Sequence, residues 1–251
     1  MKQVIYWLIL VIGTSISTCT FAESEDDIKF QFAPAPVTNS VNAGEKQRRM
    51  SLHYLSYGGA IDLQGYGFTT NERTGHESGK SSNSLVHAFT FLTGSGSSKN
   101  SEISSATDME LTGLTYDTAN NLEWKIGSNA ILSLGIKLDL NYFSVTSTTT
   151  TFGNSFEFDS RVLSIYAGGQ PGFQYHINIT PHITVTPYVL YNYAYVYTTV
   201  ESGDFTNSSD DQVSNTVIGL DITLFRQYSI ASMFQRSKDD NLLFINLGWN
   251  F

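Results

Sequence analysis

The chain has 251 residues, enough for one domain of ordinary size, and a formal net charge of −9 that argues against holding a nucleic-acid backbone on a basic surface. Only 15% of residues are charged, while 14 Tyr and 16 Phe stand among plentiful Ser, Thr, Asn and Gly. That mixture suits strands and polar connections better than helices.

The N-terminus reads as a secretory signal. Lys2 is the only charge before Glu23, and Val4 to Ile12 form a short apolar core ahead of Thr18-Cys19-Thr20-Phe21-Ala22. A positive start, an apolar core of about 7–15 residues and small residues before the cut are the marks of such a peptide. Cleavage is expected after Ala22, giving a signal peptide over 1–22. The apolar core falls short of the roughly 20 residues that a membrane-spanning helix needs. Ile16-Ser17-Thr18-Cys19 resembles a lipoprotein box, although Thr18 departs from the usual small residue, so lipidation of Cys19 instead of its removal stays open. With the cut at Ala22 the mature chain has no cysteine, and disulfides, thiolate metal sites and thiol catalysis all drop out. Residues 23–48 carry acids and Ala33-Pro34-Ala35-Pro36, with no sustained apolar pattern; they are expected to be a flexible periplasmic lead.

The rest, 49–251, alternates strand-like runs with polar connections. Residues 49–70 form either one rising strand, bulged at Gly58-Gly59, or a hairpin. A long outer loop over 71–108 follows in the first case; in the second, Leu85–Leu92 adds a further strand. The next strand is expected near 109–126. Residues 130–142 then give the clearest pattern. Ala130, Leu132, Leu134, Ile136, Leu138, Leu140 and Tyr142 share one face, and Ser133, Gly135, Lys137, Asp139 and Asn141 the other. This is about twice the usual strand length in soluble proteins. Comparable two-faced runs recur over 158–179, 183–199, 213–225, 228–236 and 241–251. Short turns near 127–129, 180–182 and 226–228 alternate with longer polar stretches at 147–157, 201–212 and 236–241, as outer-membrane barrels sort their connections. The expected fold is all-β: a transmembrane antiparallel up-and-down barrel, with eight strands favoured and ten as the alternative.

The last strand places Leu243, Ile245, Leu247, Trp249 and Phe251 on alternate positions, and Phe251 is the final residue. This resembles the C-terminal assembly signal of Gram-negative outer-membrane proteins. The hairpin Gln170–Tyr193 is similar to those of small barrels of the OmpA and OmpW type. The resemblance implies an outer-membrane location, and lipid, lipopolysaccharide and the assembly machinery as partners. It implies no solute, and oligomeric state stays open. Trp124, Phe173, Tyr175, Trp249 and Phe251 are expected near the periplasmic interface, and Tyr191, Tyr193 and Tyr195 near the outer one.

If the apolar faces meet lipid, Lys137 and Asp139 point into the lumen, joined by Asp117, Glu123 and Lys125 on the preceding strand and by Asp221 further on. Charges in a narrow barrel are expected to pair with one another, since isolated buried charges are costly; a selectivity role is the other reading. No His spacing suits zinc, the acidic stretch Glu201, Asp204, Asp210 and Asp211 lacks calcium-loop spacing, and Gly94–Ser98 lacks the Lys of a phosphate cradle, so neither metal nor cofactor is expected. His53 and Ser56 are the residues a lipid-hydrolase reading would need, but no base, nucleophile and orienter set is visible, and an enzyme is not expected. The favoured function is a surface or envelope protein with a filled or narrow lumen that admits at most a small solute. A porin-like channel of ten or more strands is the alternative, and a barrel enzyme acting on lipid or peptide the third.

Overall fold

A computed structural model of the chain describes residues 47–58, 62–76, 80–151 except 101–104, 153–236 and 241–251. The expected signal peptide, Cys19 and nearly all of the lead lie outside these residues; Gln47 and Arg48, placed in the lead by sequence, are already strand.

Eleven strands are described: β1 (Gln47–Gly58), β2 (Asp62–Gly75), β3 (Ser81–Asn100), β4 (Ser105–Ile126), β5 (Ala130–Thr151), β6 (Asn154–Tyr175), β7 (Ile177–Thr180), β8 (Ile183–Ser202), β9 (Phe205–Leu224), β10 (Tyr228–Arg236) and β11 (Asn241–Asn250). β6 and β7 are successive parts of one stave, interrupted at His176, and both pair with β8. Every stave pairs antiparallel with its chain neighbours, and β1 pairs with β11 from Arg49↔Asn250 to Gly58↔Asn241. The sheet therefore closes into a barrel of ten staves, leaving no edge unpaired around its girth.

The favoured count of eight is corrected to ten. Residues 49–70 fold as the β1–β2 hairpin. The supposed outer loop over 71–108 holds the foot of β2, a connection at 76–80, all of β3 and the top of β4. Gly94–Ser98 is accordingly part of β3. The stretches at 147–157 and 201–212 are also mostly strand. β5 and β6 pair up to Thr151↔Asn154, and β8 and β9 up to Ser202↔Phe205. Gly203, at φ 58°, lets the second hairpin turn in two residues, a conformation that side chains bearing a Cβ resist.

The staves differ in height. β3, β4, β5, β6, β8 and β9 have 20–22 residues, whereas β1, β2, β10 and β11 have 9–14. Crossing a bilayer takes about 9–11 tilted residues. The short staves therefore just cross, while the long ones continue as a wall above a low rim.

The alternation is inverted relative to a water-soluble protein. Ile136 is 76% exposed on the outer face, while Asp139, three residues on, is 0% exposed on the inner face. Leu132, Leu134, Leu138 and Leu140 share the exposed side, and Lys137 and Asn141 the buried one. On β5 the outward apolar run ends at Tyr142 and continues as Ser144, Thr146 and Thr148, which marks the top of the belt.

Candidate functional site

The interior is filled in two styles. Toward the end where the chain enters and leaves, charged side chains interlock across the lumen. Arg49 Nη1 lies 2.8 Å from Asp221 Oδ2, with the two side chains 2% and 0% exposed. Arg49 Nε also donates to Asn250 Oδ1 at 2.9 Å, and the Thr223 hydroxyl to Asp221 Oδ1 at 3.1 Å. Arg73 Nη2 pairs with Glu123 Oε2, and Ser82 joins them: it accepts from Arg73 Nε at 3.0 Å and donates to Glu123 at 2.8 Å. These extra bonds matter, because two charges removed from water repay their desolvation only when their remaining hydrogen-bonding groups are met. Nearby, His176 Nδ1 and Thr186 Oγ1 lie 2.9 Å apart.

Higher up, His53 bridges Thr69 at 3.0 Å and Thr90 at 2.9 Å while its ring lies 4.7 Å from that of Phe244. This approach requires Gly67, since a Cβ there would stand 2.4 Å from His53 Nε2. Against β4 and β5, Lys137 Nζ lies 2.7 Å from Asp139 Oδ2, and Asp117 is the register partner of Asp139.

Toward the wall side the filling turns apolar. Leu55, Tyr57, Leu63, Leu92, Leu111, Phe143, Tyr188, Leu190, Val217, Met233, Leu242 and Phe244 form one buried cluster, and Val162 of β6 packs against it. Tyr188 lies flat across β9 because position 219 is glycine; a Cβ there would come within 2.1 Å of its ring. Each such side chain contributes about 1.5–3 kcal/mol relative to exposure. Inside a barrel, the cluster also occupies the space that water would need.

The sequence-derived lumen residues all face inward, but they form separate groups. Lys137, Asp139 and Asp117 come together; Glu123 pairs with Arg73, and Asp221 with Arg49. Lys125 is half-buried at the foot of β4, where its backbone N–H donates to Lys80 O at 2.8 Å. Arg49 and Arg73 were missed by sequence reasoning. The signal was available, since both fall on the odd, inward positions that Ser51 and Thr69 also occupy.

The aromatic residues expected at the interfaces lie on the outer face. Trp124 and Phe173 flank Leu132 in register near the foot of the barrel, with Tyr175 just below Phe173, and Trp249 stands between Met50 and Tyr228. Tyr191, Tyr193 and Tyr195 climb the upper half of β8; the Tyr193 hydroxyl donates to Gln212 at 2.7 Å and that of Tyr195 to Asp210. On β11, Leu243, Ile245 and Leu247 also face outward, and the Phe251 N–H donates to Arg48 O at 3.0 Å. His53 and Ser56 stand on opposite faces of β1, so the pair a lipid hydrolase would need does not form. Among the described residues, no group of three or more His, Cys, Asp or Glu gathers as a metal site.

A closed antiparallel barrel with an apolar belt on its outer face, exposed aromatics toward both ends of that belt and the charges at its level turned inward defines a transmembrane β-barrel of the outer-membrane class. No protein-family profile and no curated protein sequence matches the chain. Solved structures do. The transport unit of the autotransporter AIDA-I from Escherichia coli aligns with 96% of this chain and 97% of its own at 10% identity and a TM-score of 0.44. The translocator domain of the autotransporter NalP from Neisseria meningitidis covers 84% and 90% at 10% identity and a TM-score of 0.48. Ail, the attachment invasion locus protein of Yersinia pestis, covers 83% and 99% at 12% identity and a TM-score of 0.33.

Proposed function

We propose that the chain is a surface protein of a Gram-negative outer membrane whose barrel is closed to bulk diffusion and carries a tall wall outside the cell. The observation that carries this reading is the burial of the lumen-facing side chains. Leu63, Leu92, Phe143, Val217, Asp139, Asn141 and Asp221 are all essentially inaccessible, although they line different staves and levels. A water-filled pore would leave such residues wet. Ten staves enclose more interior than eight, and the apolar cluster takes up the extra room, so the higher count does not favour the porin-like alternative.

The same reading gives the aromatics their role. Trp124, Phe173, Tyr175 and Trp249 would seat the barrel at the periplasmic interface, and Tyr191, Tyr193 and Tyr195 at the lipopolysaccharide side. The alternate residues of β11, ending at Phe251, would present the assembly machinery with its signal. The test is single-channel recording in planar bilayers. The expected trace shows no steady openings; large, stable conductance steps would overturn the closed lumen and favour a channel.

A further inference from the structure

The wall has a free edge. From Thr216 downward, β9 is paired on both sides, with β8 and with β10. From Phe205 to Asn215 it is paired with β8 alone, because β10 ends at Arg236, opposite Thr216. Among the described residues, no second strand pairs with these 11, a stretch of about 35 Å at ~3.3 Å per residue. The sequence between β10 and β11 is four residues long, a reach of roughly 15 Å, and β11 lies on the side of β10 away from β9. Among the described residues, none but those of β8 pairs with this edge.

Its chemistry is one-sided. No Lys or Arg occurs between Arg161 and Arg226, while Glu201, Asp204, Asp210 and Asp211 all fall on the β8–β9 hairpin. Asp210 sits on the outward face beside Tyr195, and Asp211 on the inward face, where its carboxylate accepts the Gln212 N–H at 2.7 Å. At the hairpin tip the inward face is also apolar: Phe205 is 84% exposed, and Val200 of β8 and Phe158 of β6 fall on the same face, two residues to either side of the Ser160↔Ser202 pair. An edge presents both backbone donors and backbone acceptors, so what distinguishes partners is side-chain complementarity.

We propose that the β9 edge, Phe205–Asn215, receives an extended cationic polypeptide as an added strand, with basic side chains on the outward face against Asp210 and apolar ones on the inward face against Phe205. A second copy of this chain fits poorly, because twofold pairing of β9 with β9 sets like charges opposite each other. The proposal rests on the surface reading above only in placing this edge outside the cell.

The probe is a fluorescent ten-residue peptide of alternating Lys and Val, added to the full chain in detergent micelles. Expected are saturable binding and slowed amide hydrogen exchange at 205–215 with 216–224 unchanged. Affinity should fall roughly tenfold or more when a central Val of the peptide is Pro, which cannot donate to a ladder, and similarly in Asp210→Lys. If that variant fails to insert, Glu201→Lys/Asp204→Lys at the hairpin tip carries the same test. No binding, or binding that leaves exchange at 205–215 unchanged or ignores the proline, would overturn the proposal and leave the acids as a guard against edge pairing. Micelle binding is independent of conductance, so this result and that of the channel recording fail separately.

Discussion

The foot and the upper half of the lumen solve one problem by opposite means. Below, Arg49–Asp221 and Arg73–Glu123 cross the interior as ion pairs held by Thr223, Ser82 and Asn250. Above, Leu55, Leu63, Leu92, Phe143 and their neighbours fill it with hydrocarbon. Both exclude water, but they respond differently to damage. Removing one partner of a buried pair strands a charge, whereas trimming an apolar side chain leaves a void into which neighbours can relax.

The largest effects are expected inside the lumen, at the foot and in the apolar layer alike. Arg73→Leu leaves Glu123 without its cation and should cost about 3–5 kcal/mol in urea unfolding from bilayers. Adding Glu123→Leu should restore most of the loss. A double variant as unstable as the single one would show that the pair is not the unit of stability.

Phe143→Ala in the apolar layer should cost about 3–5 kcal/mol, the lower end being reached if Leu92 and Leu111 close over the space. Its more telling readout is electrical. Thinning the apolar layer should produce small, transient openings in planar bilayers, and Arg73→Leu/Glu123→Leu, which keeps the lumen filled, should not.

On the outer face, Leu134→Arg places a charge in the lipid belt and should cost about 2–4 kcal/mol, against about 0–1 kcal/mol for a charge introduced near an interface. Measuring Leu134→Arg beside Ser144→Arg would show where the belt ends on β5. The smallest effect is expected at Tyr193→Phe. It removes one hydroxyl bond to Gln212 and should cost on the order of 1 kcal/mol.

Much of this fold was legible where one face was apolar and the other polar. β5 shows it best: the run from Leu132 to Tyr142 announced both the strand and the inward aim of Lys137 and Asp139. The pattern fades where the lumen itself becomes apolar. Phe91-Leu92, Tyr142-Phe143 and Leu242-Leu243-Phe244 are apolar on both faces, because one residue meets lipid and the next meets the interior cluster. Alternation cannot report a strand whose two environments are alike. β3 suffers this most, with Leu85, Phe89 and Phe91 outside and Val86, Ala88 and Leu92 inside. That is why the count of staves fell short and the closing layer went unseen. β2 hid for another reason: its foot, Thr69 to Gly75, has polar residues on both faces and reads as loop, so Arg73 was not recognised as the partner of Glu123. The wall was mistaken for loops in the same way, since Thr146–Thr150 and Thr206–Gln212 are strands that are polar on both faces.

Reactivity of single cysteines, introduced with Cys19→Ser, tests the account most directly. Ile136→Cys should react in bilayers with a maleimide confined to the lipid and resist a charged, water-soluble one; Asn141→Cys should resist both. Fast labelling of Asn141→Cys by the water-soluble reagent would mean an open lumen. Fast labelling of Ile136→Cys by that reagent would mean that this face never meets lipid, and the barrel as described here would be wrong.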